Sequence, residues 1–458
     1  MTAVDGPARS GPAGRPALVP FPVVDEVTRH CLRAEEPETI HIEIRLPGRP
    51  DPARLRRAFT AALRHHPRAQ VRQAPGPWYR RRYFWELTEG PDPGVDVVTV
   101  AEPEPGALER ARERCLASAP PLAASPPVRL ELVEDPERPG GTALFLTVNH
   151  TALDGPASLR VLATAAELYG GRADVPAAPP VRTAPGVPAP GAPGSSPWAP
   201  SARVARGAPS GPPGNGLLVA DRAVPRRPPG AGYTVNDQLL VATALMIADW
   251  NREHGAPPRP IRITMPVDDR PRGADMPIGN GTRLVEVPFT VAELAAGGRA
   301  AAQHDPVGLG ELLRRTADRT RALTSVPRPQ LGAAAVLLTA PVVPVVWRAA
   351  VTRGLRRAAE PWTSTTLLSN IGRVPYALDF GDAGRADAVW FSAPARMPRG
   401  LNVTAASTAG RLHLALRWSK ALLDREDGAR LRELFERYLD AMENATTGNG
   451  GATEGGPG

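Results

Sequence analysis

The fold of this chain is decided by residues 142–155, which read Thr-Ala-Leu-Phe-Leu-Thr-Val-Asn-His-Thr-Ala-Leu-Asp-Gly. The apolar run that ends at Asn149 predicts a buried strand. After it, Pro156 and apolar residues at helical spacing predict a helix. The chain therefore passes from strand to helix at His150, and this junction carries the pattern His-x-x-x-Asp-Gly.

The two polar residues of this pattern suit different tasks. His150 has a side chain that titrates near neutrality, so it is a candidate general base for an alcohol or amine that attacks a carbonyl. Asp154 points away from His150, and a buried carboxylate is costly unless it meets a cation. We therefore expect Asp154 to brace the loop by pairing with an arginine. A non-catalytic interpretation remains open, in which His150 is an ordinary loop residue and Asp154 caps the helix.

Several other segments of the chain carry patterns of their own. With the His150 motif, these segments resemble the CoA-dependent acyltransferase and condensation-domain superfamily, which includes chloramphenicol acetyltransferase, nonribosomal condensation domains, wax-ester synthases and polyketide-associated acyltransferases. The resemblance spans residues 20–442. The segments that carry it, besides His150–Gly155, are 24–26, 39–46, 55–63, 233–240, 265–271, 278–280 and 369–375.

The resemblance implies an α+β fold of two chloramphenicol acetyltransferase-like halves, which form a pseudo-dimer with a tunnel between them. It implies that His150 is the catalytic base. It also implies structural positions at the active site for Asp154, Gly155 and Arg270, with Asp154 and Arg270 as a buried pair that ties the two halves together.

Three further residues are candidates for contact with the substrate or its oxyanion. Asn149 stands where the superfamily often has a first histidine, and Ser369 and Asn370 belong to a Ser-Asn-x-Gly segment similar to one in the superfamily. The resemblance names the backbone N–H of Gly155 as an alternative oxyanion donor. We expect no metal at this site.

The activity that the resemblance implies is transfer of an acyl group from a thioester to a hydroxyl or amine, in secondary metabolism. No cofactor is expected to be bound permanently, since CoA or a phosphopantetheine thioester is a co-substrate. The partners are an acyl-CoA or an acidic carrier protein as donor, and a small-molecule acceptor. Two alternatives are a non-catalytic module that recruits partners, and an enzyme of cyclisation or proton transfer on a carrier-bound intermediate.

Composition predicts how the chain is divided. Pro, Ala, Gly and Ser dominate residues 171–231, where apolar periodicity disappears, so this stretch is predicted to be a linker between halves at 18–170 and 232–442. Residues 443–458 form a Gly-rich tail that we expect to be disordered. Deleting residues 182–209 is accordingly expected to change the melting temperature little.

Charge and cysteine content indicate which partners and which cellular compartment to expect. The net charge is +8, and every cation except Lys420 is an arginine, which indicates coding bias rather than a nucleic-acid site. A positive surface would attract the phosphates of CoA or an acidic carrier protein. Only two cysteines are present and no secretory signal is visible, so we expect a reduced, cytoplasmic protein. We also expect a monomer.

The stretch 331–347 has no charged residue and is followed by several arginines. It is short for a membrane span, and Pro341 and Pro344 would break a helix in its middle. It is predicted to be buried or to line an acyl channel. The alternative is that residues 331–357 contact a membrane surface through an apolar face backed by arginine.

Overall fold

The computed structural model describes residues 16–136, 138–173, 200–209, 211–271, 273, 275–325, 330–331 and 333–447. In these residues the strands are β1 (Leu18–Pro20), β2 (Thr39–Leu46), β3 (Val71–Gln73), β4 (Phe84–Leu87), β5 (Val98–Val100), β6 (Val128–Glu134), β7 (Thr142–Asn149), β8 (Asn215–Ala223), β9 (Ile261–Val267), β10 (Arg283–Phe289), β11 (Thr366–Arg373), β12 (Ala388–Ser392), β13 (Leu401–Thr408) and β14 (Arg411–Ser419). The α-helices are α1 (Val23–His30), α2 (Pro52–His65), α3 (Ala107–Ala117), α4 (Gly155–Tyr169), α5 (Val235–Glu253), α6 (Val291–Ala302), α7 (Pro306–Ser325), α8 (Ala333–Leu338), α9 (Val345–Ala358) and α10 (Arg425–Thr447).

The first large sheet has five strands in the order β12-β2-β7-β6-β5, and β7 lies at its centre. Every residue of β7 is buried, since α2 and α4 cover one face of the sheet and α3 covers the other. Coverage on both faces explains the continuous apolar run, which would alternate in a half-exposed strand. The predicted strand and the helix α4 that follows it are both confirmed.

The second large sheet has six strands in the order β10-β9-β11-β13-β14-β8. Its core is shared with α5, α7 and α10. Helix α5 begins at a capping box, in which the side chains of Thr234 and Asp237 each accept a hydrogen bond from the other residue's backbone N–H. A small third sheet, β1-β4-β3, completes the first half. Each half thus has its own sheet and core, and the predicted α+β class is confirmed.

One strand crosses between the halves. β12 comes from the second half of the sequence, yet it pairs antiparallel with β2, with Ala388 opposite Arg45 and Ser392 opposite His41. Phe391 of this strand joins the core of the first half. The indole N–H of Trp390 donates to the carbonyl oxygen of Ala220 in β8, at 2.9 Å. The two predicted halves are therefore interlocked rather than merely joined by a linker.

The structure also departs from the predicted linker at 171–231. Residues 215–223 form the edge strand β8, which pairs along its whole length with β14. Ala202 and Val204 are buried in the second core, where Asn251 and Trp250 hydrogen-bond the backbone of residues 203–205. These contacts argue against the expectation for the 182–209 deletion, because the backbone groups of Arg203 and Ala205 have partners on α5. Residues 174–199 lie outside the described part.

The remaining predictions concern the tail and the segment 331–357. Helix α10 continues to Thr447, beyond the predicted end of the second half, and residues 448–458 lie outside the described part. Helices α8 and α9 expose most of their large apolar side chains, so the prediction of a buried segment is wrong for their outer surface. Within the described residues, no helix combines the length and apolar content needed to cross a membrane.

Candidate active site

His150 follows directly after the central strand β7. Its backbone N–H donates to the carbonyl oxygen of Glu38 at 2.8 Å, which fixes the backbone at the strand end. Its ring Nδ1 lies 3.1 Å from the carbonyl oxygen of Leu153. A carbonyl can only accept, so Nδ1 carries a proton, and in the neutral form of the ring the lone pair lies on Nε2. The half-buried imidazole is thereby set up to accept a proton at Nε2.

Asp154 is buried and has partners in both halves. Its Oδ1 accepts from the N–H of Ala157 at 3.0 Å, which caps α4. Its Oδ2 accepts from the N–H of Gly281 at 2.7 Å and from that of Thr282 at 3.2 Å. Arg270 Nη2 lies 2.9 Å from Oδ1 and 2.8 Å from Oδ2. The sequence left two roles open for Asp154, a helix cap and a partner of an arginine. The structure shows both, and the arginine is Arg270, as expected.

Arg270 uses the rest of its guanidinium to shape its own loop. Its Nε donates to Asp268 at 2.8 Å, and its Nη1 donates to the carbonyl oxygens of Pro277 and Gly279, both at 3.1 Å. Burial lowers the pKa of Arg270, but the negative charges of Asp154 and Asp268 outweigh it, so the pKa is raised. Arg270 is therefore a fixed cation rather than a mobile ligand-binding group.

Asn280 belongs to the segment 278–280, which carries part of the resemblance, but the sequence did not reveal what its side chain contacts. Its Nδ2 lies within hydrogen-bond distance of Asp25 Oδ1 at 2.9 Å and of the carbonyl oxygens of His150 and Thr151 at 3.1 and 2.9 Å. Asn280 thus holds the backbone of the turn around His150 from the second half. The carbonyl of His150 gains a partner that the first half does not supply.

Asp25 lies beneath this turn and was missed as a site residue. It is fully buried, and its Oδ2 accepts from the indole N–H of Trp85 at 2.8 Å and from Arg68 at 3.4 Å. Burial raises the pKa of Asp25 to about 6, although the charge of Arg68 and the hydrogen bonds from Asn280 and Trp85 oppose the shift. The segment 24–26 carries part of the resemblance, but its pattern does not reveal what Asp25 holds, because the partners Arg68, Trp85 and Asn280 come from three separate segments.

Asn149 serves the turn itself. Its Nδ2 donates to the carbonyl oxygen of Pro120 at 2.9 Å, and its Oδ1 accepts from the N–H of Thr151 at 3.0 Å. The side chain is buried, so in this structure it holds the chain on either side of His150. This placement differs from the expected contact with substrate, because both ends of the amide are already engaged.

Ser369 and Asn370 lie in β11, at a bulge in its pairing with β13. Asn370 Oδ1 accepts from the N–H of Gly372 at 2.8 Å, and its Nδ2 lies 3.3 Å from Asn236 Oδ1. Both residues are half-buried. In the part of the chain that the structure describes, no hydrogen bond joins this segment to the turn around His150. The structure therefore shows no direct hydrogen bond between the Ser369-Asn370 segment and the turn around His150.

Two glycines of the site differ in what they require. A Cβ on Gly155 would meet only Phe391, at 4.0 Å, which is an ordinary contact. A Cβ on Gly281 would lie 2.4 to 2.5 Å from Cδ, Nε and Cζ of Arg270. Gly281 is thus needed for Arg270 to cross the loop and reach Asp154. Among the described residues, no group of three or more His, Cys, Asp or Glu side chains is arranged to hold a metal ion.

Comparison with known proteins gives relatives by sequence and by structure. No protein-family model matches the chain. The uncharacterized proteins MT2362 and Rv2305 of Mycobacterium tuberculosis are each 30% identical to it over 388 residues, which cover 78% of this chain and 84% of theirs.

Three solved structures share its architecture at low sequence identity. The trichothecene 15-O-acetyltransferase TRI3 of Fusarium sporotrichioides has a TM-score of 0.63 at 12% identity, covering 94% of this chain and 96% of its own. The first condensation domain of the CDA synthetase has a TM-score of 0.59 at 16% identity, covering 93% and 95%. The wax ester synthase/diacylglycerol acyltransferase of Marinobacter aquaeolei VT8 has a TM-score of 0.55 at 17% identity, covering 93% and 99%. The chain therefore belongs to the family of the two mycobacterial proteins, and its fold is that of the CoA-dependent acyltransferase and condensation-domain superfamily.

Proposed function

We propose that this protein transfers an acyl group from a thioester to a hydroxyl or amine acceptor, with His150 as general base. The observation that carries the proposal is the hydrogen bond from His150 Nδ1 to the Leu153 carbonyl, which leaves Nε2 basic. The fold supports the same reaction class, since the solved neighbours include an acetyltransferase and a wax ester synthase. We assign the reaction to secondary metabolism in the cytoplasm.

The reaction follows from this tautomer. Nε2 of His150 takes the proton of the acceptor O–H or N–H as the oxygen or nitrogen attacks the thioester carbonyl carbon. A new C–O or C–N bond forms, and the carbonyl electrons move to the oxygen. When the tetrahedral intermediate collapses, the C–S bond breaks and the departing thiolate takes the proton back from His150. The products are an ester or amide and a free thiol.

The tetrahedral intermediate needs hydrogen-bond donors for its oxyanion. The Gly155 N–H belongs to the first turn of α4, where N–H groups lack intrahelical partners and the helix dipole is positive. We propose that the oxyanion accepts a hydrogen bond from this N–H or from the Ser369-Asn370 segment of β11. The first choice is favoured because Gly155 ends the same turn as His150, whereas among the described residues no hydrogen bond joins the Ser369-Asn370 segment to that turn.

The positioning residues act through His150 rather than on the substrate. Arg270 holds Asp154, and Asn280 holds the carbonyl oxygens of His150 and Thr151. Loosening either would let the imidazole move, and a displacement of about 1 Å can cost about a hundredfold in rate.

We propose CoA or a carrier-bound phosphopantetheine as the thiol of the donor, with the net positive charge favouring such anionic partners.

The test is an assay of the purified protein with acyl-CoA and acyl-carrier thioesters against alcohols and amines, followed by free-thiol release and mass spectrometry. His150→Ala should lose at least about two orders of magnitude of transfer, the scale of a lost general base, while it melts like wild type. The matched control is His254→Ala, since His254 also has Nδ1 at hydrogen-bond distance from a backbone carbonyl, that of Trp250, but lies at the end of α5.

The outcomes separate the candidate functions. Transfer that depends on His150 and not on His254 supports the proposal. Near-normal turnover by His150→Ala would rule out His150 as the base. Carrier binding without any acyl product would favour the non-catalytic, partner-recruiting alternative, and a product isomeric with the carrier-bound substrate would favour cyclisation.

A further inference from the structure

Helix α9 buries two polar side chains beside Val345 and Ala349 and leaves several large apolar side chains exposed. Its buried side chains include the polar residues Arg348 and Thr352, whereas Val346, Trp347, Val351 and Leu355 are exposed, with Trp347 63% exposed. A surface helix usually buries its apolar face and presents its polar face to water. The exposed apolar face of α9 therefore has no covering element among the described residues.

The buried polar face explains why the helix is held in this orientation. Arg348 donates from Nε and Nη2 to Glu26 of α1, at 2.9 and 2.5 Å. Its Nη1 donates to the carbonyl oxygens of Val343 and Arg81, at 2.8 and 2.9 Å. This one guanidinium ties α9 to α1, to the turn after α8 and to the loop before β4. The outward apolar face is thus a fixed part of the fold.

Two other segments near α9 also expose large apolar side chains. Leu337 and Val342, on and after α8, are 78% and 72% exposed. Trp78 and Tyr79, 70% and 60% exposed, precede Arg80, whose carbonyl oxygen accepts from the N–H of Val345 at 2.8 Å. Large apolar side chains that cluster on a surface mark a site of interaction rather than scattered exposure.

Cations accompany this apolar surface. Arg353, Arg356 and Arg357 lie on α9, and with Arg33 and Arg396 they line a cavity of about 180 Å³ at the end of the helix. Glu360 contributes an acidic group to the same lining. An apolar face that contains tryptophan and is flanked by arginines suits the boundary between lipid headgroups and acyl chains. The arginines would meet the phosphates, and the apolar face would enter the acyl region.

We propose that α8, α9 and the loop at Trp78–Tyr79 form a docking surface for a bilayer that contains anionic lipids. Charge decides between this occupant and a second copy of the chain. A symmetric pair through the same face would place the arginines of the two copies near one another, without anions to neutralise them. This inference is independent of the acyl-transfer proposal, since neither His150 nor Arg270 takes part.

The test is vesicle flotation of the full chain with phosphatidylcholine alone and with phosphatidylcholine plus phosphatidylglycerol. We expect binding to the anionic vesicles that weakens as salt rises. Leu337→Ser with Trp347→Ser should reduce binding at least about tenfold, since two large apolar anchors are lost. Arg356→Gln with Arg357→Gln should reduce it about fivefold for each charge. Val307→Ser on α7, 74% exposed, is the control and should bind like wild type.

Three results would overturn the proposal. The first is recovery of wild type only in the vesicle-free fraction at low salt, and the second is flotation of the Leu337/Trp347 variant to the same extent as the Val307 control. A concentration-dependent dimer in sedimentation, abolished by the same double variant and unaffected by vesicles, would assign the surface to a second copy. The substituted side chains are exposed, so unchanged melting temperatures are expected and should be recorded for every variant.

Discussion

Arg270 Nη2 lies 2.9 and 2.8 Å from the two carboxylate oxygens of Asp154, and both side chains are almost fully removed from solvent. The pair joins the turn after β7 in the first half to the loop between β9 and β10 in the second half. Since Asp154 also caps α4, one carboxylate supports the strand end, the helix start and the interface at the same time.

Asp154→Ala should lower the free energy of unfolding by about 3–5 kcal/mol. Among the described residues, the buried Arg270 would keep only Asp268 as an anionic partner, and the N–H groups of Ala157, Gly281 and Thr282 would lose their acceptor. Urea denaturation of the two proteins measures the difference. The control is Asp382→Ala, which removes an exposed pair with Arg54 at 3.2 Å and should cost less than about 1 kcal/mol. Equal losses in the two variants would contradict the bracing role.

Gly281→Ala should destabilise the protein by about 1–3 kcal/mol, since the new methyl group would overlap the guanidinium of Arg270. Arg270 cannot swing aside cheaply, because Asp154, Asp268 and two carbonyls hold it. Gly298→Ala in α6 is the matched control. It meets nothing within 4 Å and should stabilise the helix by up to about 1 kcal/mol. Thermal melts that rank the two variants the other way would refute this account.

Asn251→Ala should cost about 1–3 kcal/mol, because it strips partners from the backbone of the segment before β8. Asn251 Oδ1 accepts from the N–H of Ala205, and its Nδ2 donates to the carbonyl oxygen of Arg203, both at 2.7 Å. Glu253→Ala, two residues along the same helix, removes an exposed ion pair with Arg430 at 2.7 Å and should cost less than about 1 kcal/mol. Protease sensitivity around residue 205 would rise only in the first variant. If it stays unchanged, residues 203–205 are held by other contacts.

Asp25→Asn should flatten the dependence of stability on pH. The pKa of Asp25 is raised from 3.8 to about 6, so the folded state binds more protons between these values. Its contribution to stability is thus fully present below the unfolded pKa and is lost as pH rises through about 6. The stability of wild type relative to the variant should fall by up to about 3 kcal/mol over this range. Urea unfolding from pH 4 to pH 8 measures it, and a constant difference would show that Asp25 does not titrate there.

Local patterns predicted the elements whose burial repeats along the chain. Strand β9 coincides with a local apolar run, and helix α5 begins directly after its capping residue Thr234, so neighbours in sequence specify both elements. The same holds for β7 and α4 around His150. These predictions succeeded because periodicity and capping involve neighbours a few residues apart.

The rest depended on partners that are distant in sequence. β8 lies in a stretch rich in Pro and Gly, and only its pairing with β14 makes it a strand. The contacts of Asn280 with Asp25 and His150 join residues 255 and 130 positions apart, so the segment 278–280 could mark the residue but not what it holds. An apolar stretch is expected to turn its apolar side chains inward, but α9 buries the charged side chain of Arg348. Its partners lie on α1 and in two loops, which the local sequence cannot show.

The exchange of β12 has a consequence for how the protein can be synthesised. Strand β2 has β7 on one side from early in translation, but its other edge is completed only when residues 388–392 have left the ribosome. Until then the nascent first half presents an open edge that invites pairing with other chains. A fragment that ends after α4 should therefore aggregate, and adding the missing strand as a separate peptide should restore its solubility.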